Sequence, residues 1–363
     1  MFKIEPLRLN QLLDDHYRRY KDQAIMLINE YLKGHVVQLK HYIDFKARVT
    51  PGSFVRTFLE RYGKDQDDSL RLLLCGTVDE QLNILDYIYQ QDSRYLDGLT
   101  KNERPAINPR SKRLTNQIQE FNLILKDIFV THLYGEKAFK KEKQLDKNLF
   151  VNELEVRVCP YCGRNFVYGV GWDKSEQKYK AKPQLDHFLP KSKYPFLAMN
   201  FFNLIPVCTP CNSLESKGDN DVWLRGSREF KLVHPYKYDD TRLTFRYDLK
   251  DMAPFRSDQF DISVDYHGNT DLQDGYDNLL HLSDYFKYHN TEARNLYQQI
   301  KTWNTAMKNY ESLGVTKPYW KMLPYLFMGH SFSDGEAPQH PLFKFRRDLF
   351  HQMEEDWKTG VLE

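Results

Sequence analysis

Four of the five cysteines stand in two pairs of identical spacing, Cys159-Pro160-Tyr161-Cys162 and Cys208-Thr209-Pro210-Cys211, with 45 residues between them. A two-residue gap lets both thiolates of a pair reach one tetrahedral ion, so the two pairs together offer four soft sulfur ligands to one zinc ion. A site closed by four thiolates leaves no coordination position for a substrate. Its expected role is structural, tying two distant segments together so that binding energy becomes folding energy. The alternative is four unliganded buried thiols. Cys75, in the apolar run RLLLCG, is expected to be an inert core thiol.

Between and just after the pairs lie Asp186, His187, Asn203, Asn212 and Lys217. Hydrolysis of a phosphodiester needs a base to take a proton from water, a cation to neutralise charge gathering on the phosphate, and donors that hold both in place. His187 is the candidate general base, because imidazole titrates near neutrality. Asp186 and Asn212 supply hard oxygen ligands suited to Mg²⁺ or Mn²⁺, with room for water and phosphate oxygens. Adjacent side chains on a strand point to opposite faces, so Asp186 and His187 share a cavity only if the strand ends there, which Pro190 favours. Lys217, with Lys191 and Lys193, is a candidate phosphate contact. Each of these has a plainer alternative: a structural histidine, a helix-capping or turn asparagine, a solvated lysine.

Taken together, Asp186-His187, Asn203-Leu204, Asn212 directly after Cys211, Lys217 beyond it and the flanking CxxC pairs resemble the motif of the HNH (ββα-metal) endonucleases. The resemblance covers about Val156 to Trp223. It implies a zinc-stabilised ββα-metal core, with a helix beginning at the second CxxC and carrying Asn212 on its first turn. It also implies that Asn203 clamps the backbone of the loop bearing His187, and that a divalent cation is bound by Asp186 and Asn212. The KSKYP step, the CNSLESKGD run, HPYKYD and YHNTEARNLYQQI look more narrowly like the HNH subunits of Septu-type and retron-associated anti-phage systems, which partner with an ATPase. The expected function is therefore cleavage of nucleic acid, DNA favoured, as a defence effector. The alternatives are a stand-alone restriction-type nuclease and a non-catalytic zinc-stabilised binding module.

The elements that must position these residues read as an α+β chain in three parts. Residues 1–150 are expected to be all-helical and to dock a partner or wall a DNA channel. Leu12, Leu13, Tyr17, Tyr20, Ala24, Leu27, Ile28 and Tyr31 fall on one helical face, with Gly34 as a stop. A short helix follows Pro51-Gly52, a third pattern starts near Val78 and a fourth spans Leu114 to Leu133. Residues 151–225 hold the nuclease core. There the glycine-free stretch Pro190 to Phe202 is expected to pack as structure. Residues 226–363 begin with a β-hairpin, since Leu243, Phe245, Tyr247 and Leu249, then Phe260, Ile262, Val264 and Tyr266, alternate with polar residues. Helical period returns after His267-Gly268-Asn269 and is broken at Met328 to Pro341.

Composition sets bounds on these readings. A 363-residue chain that is 41% hydrophobic builds a packed core and is not intrinsically disordered. A net charge of +2 excludes a whole-chain basic signature of nucleic-acid binding, so any phosphate-binding surface is local. The basic runs Arg104 to Arg113, Lys137 to Lys147 and Lys174 to Lys193 are the candidates. MFKIEPLRLNQLLDDHYRRY has no secretory apolar run, and no apolar stretch reaches membrane-spanning length. A cytoplasmic protein without a membrane partner is expected.

Overall fold

A computed structural model describes residues 1–37, 47–63, 68–98, 109–135, 145–173, 178–250, 259–312 and 333–362. Much of the Arg104 to Arg113 and Lys137 to Lys147 runs, Lys174 to Gln177, and the start of the Met328 to Pro341 break lie outside the described residues.

The front of the chain folds as its periodicity requires. Helix α1 (Leu9–Leu32) buries Tyr20, Ala24, Leu27, Ile28 and Tyr31 on one face and is followed by Gly34 at φ +102°. Ser53, after the Pro-Gly turn, accepts from the Arg56 N–H to start α2 (Phe54–Tyr62). Helix α3 (Ser69–Cys75) is short and largely buried. Helix α4 (Val78–Gln91) opens on a capping box in which Thr77 and Glu80 satisfy each other's backbone N–H groups. Helix α5 (Pro109–Leu125) runs on into π-helical turns over Lys126–Tyr134. Helix α6 (Lys147–Glu153) is capped by the Asp146 carboxylate. The expectation of an all-helical front needs one correction: β1 (Val36–Val37) and β2 (Ala47–Arg48) form a minimal antiparallel ladder. Two-residue strands carry no readable alternation.

The middle of the chain is built on short strand pairs. Strands β3 (Val170–Asp173) and β4 (Lys178–Ala181) form a hairpin that the sequence reading did not identify. Strands β5 (Gln184–His187) and β6 (Leu204–Val207) pair antiparallel, with Asp186 opposite Ile205 and His187 opposite Leu204. The stretch between them is packed, as its composition demands: Tyr194, Phe196, Leu197, Ala198, Met199 and Phe201 are all buried.

The helix expected at the second CxxC does not form. Residues 208–220 are a succession of turns, closed by Asn212 N–H to the Cys208 and Thr209 carbonyls, Ser216 N–H to Ser213 and Asn220 N–H to Lys217. Pro210 lacks a donor, the Asn220 side-chain amide donates to the Ser216 carbonyl, and Gly218 takes φ +34°. Local hydrogen bonds thus replace the repeating ladder of a helix.

In the last part, β7 (Thr244–Leu249) and β8 (Phe260–Asp265) form the expected hairpin. Helices at Leu282–Lys287, Asn290–Ser312 and Phe343–Lys358 pack on it. Side chains of the last helix cover the β7 edge: Asp348 accepts from Phe245 N–H, and Gln352 bonds both backbone groups of Tyr247. A continuous hydrophobic cluster runs from Met1 to Leu362 through all three parts. Among the described residues no helix is long and apolar enough to cross a membrane.

Candidate active site and cysteine cluster

The two CxxC turns meet. One sulfur from each of Cys159, Cys162, Cys208 and Cys211 lies within 4.8 Å of the others, all four are buried, and none is in a disulfide. Thiolates at about 2.3 Å from a tetrahedral zinc ion stand about 3.8 Å apart, and Cys162 Sγ and Cys208 Sγ are 3.9 Å apart. The donor set therefore fits zinc in both chemistry and spacing. Each turn is self-closed, with Gly163 N–H donating to Cys159 O and Asn212 N–H to Cys208 O. The late segment supports the first turn, where Pro338 O accepts from Arg157 and Val158 N–H and Gly163 O accepts from Leu342 N–H. Cys75 is buried elsewhere, with its thiol pushed up to about 12 by burial.

Strand β5 leads out of this clamp to Asp186 and His187. His187 is buried, and its Nε2 lies 3.0 Å from Ala198 O. Burial first, then the nearby Lys191 charge, holds its pKa well below the usual imidazole range, so the ring is neutral. A carbonyl only accepts, so the ring proton sits on Nε2 and Nδ1 carries the free lone pair. The Tyr134 ring, from the last π-helical turn, meets the imidazole edge-on at 4.7 Å. Burial and Asp186 push the Tyr134 phenol up to about 12.

Asp186 sits in a different setting. Its Oδ2 accepts from Tyr161 Oη at 2.6 Å, and Lys217 Nζ is 3.7 Å away. Asp186 is 3% exposed, Lys217 0% and Tyr161 1%, so this is an interior ion pair. Lys217 also donates to His187 O at 3.3 Å. Burial and the neighbouring Asp186 raise the Tyr161 phenol far above its usual range, which keeps it a donor. The sequence reading put Lys217 beside phosphate; the structure seals its ammonium group inside, under the strand bearing the Asp-His pair. Tyr161, between the first two cysteines, was missed because a tyrosine in CxxC reads as filler.

Asn203 is fully buried, and its amide makes three bonds to the loop after His187. Oδ1 accepts from Leu189 N–H at 2.7 Å, and Nδ2 donates to Leu189 O and Leu197 O, each at 3.0 Å. Asn212 is half-buried on the Gln184 side of β5, its Nδ2 donating to Gln184 Oε1 at 3.0 Å. Lys193 pairs with Asp221 at 3.3 Å, whereas Lys191 stands 5.9 Å from the Tyr134 ring centroid.

The helical front reaches this same loop. His16 Nε2, from α1, lies 2.8 Å from Met199 O. Gln81, from α4, donates to Asn200 Oδ1 at 2.9 Å, and Asn200 donates back to Gly76 O at 3.1 Å. The carbonyl that fixes His187 is thus adjacent to two residues anchored by α1, α4 and the turn before α4. No sequence signal pointed to His16, Gln81 or Asn200, since each bond spans more than a hundred residues.

No family model matches this chain, and no solved structure matches it. It is similar to the Septu protein PtuB of Bacillus thuringiensis, with 32% identity over 83 residues, 23% of this chain and 26% of that protein. The matched segment spans about a quarter of the relative's length.

Proposed function

We propose that the protein is a metal-dependent endonuclease of HNH type, cleaving nucleic acid, DNA favoured, as an effector of a Septu-type anti-phage system with an ATPase partner. The observation that carries the enzymatic part is the state of His187. It is a neutral imidazole whose Nε2 is committed to Ala198 O, leaving Nδ1 as the base, at the end of a strand that also bears Asp186. The similarity to a Septu protein supports the defence role.

In this reading His187 Nδ1 accepts a proton from water as the oxygen bonds to phosphorus. The phosphorus bond to the leaving sugar oxygen then breaks. Asn203 holds the Leu189 to Leu197 loop so that Ala198 O stays on Nε2. Asp186 and the Asn212 side-chain carbonyl oxygen would hold Mg²⁺ or Mn²⁺, and their hard-oxygen chemistry fits such an ion. The bound cation supplies charge neutralisation at the phosphate. Lys217 and Tyr161 hold the Asp186 carboxylate from the inside.

A second reading has its own observation. The Asp186–Lys217 pair is interior and hydrogen-bonded, as in a purely structural ion pair, and this fits a non-catalytic zinc-stabilised binding module. Incubating purified protein with plasmid and Mg²⁺ or Mn²⁺, beside His187→Ala, separates the two. The nuclease reading expects the substitution to slow nicking by about a hundredfold or more. Equal residual activity in both proteins would leave the binding module.

A further inference from the structure

Two arms reach the Asp186 carboxylate, one from each CxxC turn. The first is Tyr161, which stands between Cys159 and Cys162 and donates from Oη to Asp186 Oδ2 at 2.6 Å. The second is Lys217, whose Nζ lies 3.7 Å from the same oxygen and whose backbone N–H donates to Cys211 O at 3.2 Å. The first turn is closed by Gly163 N–H on Cys159 O, and Asn165 Nδ2 ties it to the other turn by donating to Cys208 Sγ at 3.5 Å. Tyr161 is therefore rooted where the backbone has little freedom, and its ring is buried. The two arms differ in what they do to the carboxylate. An ammonium group orients it and also offsets its charge, whereas a neutral hydroxyl orients it and leaves the charge for a cation. Among the described residues no hydrogen bond is made to Asp186 Oδ1. Tyr161 thus holds one oxygen and leaves the other for a ligand.

We propose that Tyr161 is a positioning residue: from its fixed place between two cysteines of the cluster it orients Asp186 and raises the affinity of that carboxylate for the catalytic cation. This rests on the nuclease reading for the existence of that cation. A hydrogen bond to a ligating carboxylate restricts its orientation before the ion arrives, so less order has to be imposed on binding. Loss of such a partner weakens metal binding about 10- to 100-fold. The hydroxyl carries the effect, since the ring itself packs beside Phe188 with or without it.

The test compares full-length wild type, Tyr161→Phe and Tyr247→Phe. Tyr247 supplies the control, because its Oη donates to Asp356 Oδ2 at the same 2.6 Å in the last part of the chain. Mn²⁺ binding is measured by electron paramagnetic resonance of the free ion, zinc by elemental analysis, and plasmid nicking across a range of Mn²⁺ concentrations. Tyr161→Phe is expected to weaken Mn²⁺ binding about tenfold or more while keeping about one equivalent of zinc. The Mn²⁺ concentration for half-maximal nicking should rise by the same factor, and the rate at saturating Mn²⁺ should stay within about twofold of wild type. Tyr247→Phe, which loses a bond of the same kind, should bind Mn²⁺ as wild type does. Equal affinity in Tyr161→Phe and wild type overturns the proposal, as does a loss shared by Tyr247→Phe or accompanied by loss of zinc. So does a wild-type protein that binds no Mn²⁺. Nicking by wild type with affinity unaltered in Tyr161→Phe removes the role of Tyr161 and keeps the nuclease. Weakened affinity in a protein that does not nick keeps that role and removes the nuclease.

Discussion

Asn203 and Lys217 show how a single buried polar side chain is committed by its partners. Asn203→Ala leaves the Leu189 N–H, Leu189 O and Leu197 O without their bonds in a fully buried place. Orphaned buried groups cost about 1–3 kcal/mol each when they find no substitute, so a loss of about 3 kcal/mol or more is expected in a urea unfolding midpoint. Asn203→Asp should be no better, because a carboxylate cannot donate to the two carbonyls. Lys217→Met strands the Asp186 carboxylate with Tyr161 alone. Breaking one side of a buried pair costs about 3–5 kcal/mol, and adding Asp186→Asn should recover part of it. A double-mutant cycle that returned no coupling would refute the interior pairing.

At the scale of elements, the contact between the helical front and the loop after β5 is close and sensitive. Gly98 has φ +76°, and a Cβ there would come 2.7 Å from Ser192 O. Gly98→Ala combines a left-handed backbone with that clash, so a loss of about 1–3 kcal/mol is expected in the thermal or urea midpoint. The α1 contact to the same loop titrates. Burial lowers the His16 pKa to about 4, with Arg19 adding in the same direction. The unfolded chain therefore takes up the proton first, and stability is present above about 6.5 and lost as pH falls from there to about 4. The full shift corresponds to about 3 kcal/mol. Stability curves for wild type and His16→Asn between these limits should converge at the acid end, and parallel curves would show that His16 is not the group responsible.

For the whole molecule, the cysteine cluster joins segments far apart in sequence within one hydrophobic core. Its metal should then report on the entire fold. About one equivalent of zinc per chain is expected by elemental analysis, lost in Cys162→Ser together with the cooperative unfolding transition. Chelation that removed zinc with no change in the transition would refute a structural role.

The sequence by itself determined the cysteine frame, the order Asp186, His187, Asn203, Asn212 and Lys217, the β7–β8 pair and the long amphipathic helix α1. These follow from spacing and periodicity, which act over a few residues. The tertiary structure alone decided that the second CxxC opens into turns where a helix was expected, and that Lys217 lies in the interior with Tyr161 on Asp186. It alone placed His16, Gln81 and Tyr134 of the helical front against the loop that orients His187. The reason is physical: a side chain's burial and partner depend on contacts made across tens of residues, as for Tyr161 on Asp186, or more than a hundred, as for His16 and Gln81, and no local pattern in a chain records which distant carbonyl or carboxylate will face it.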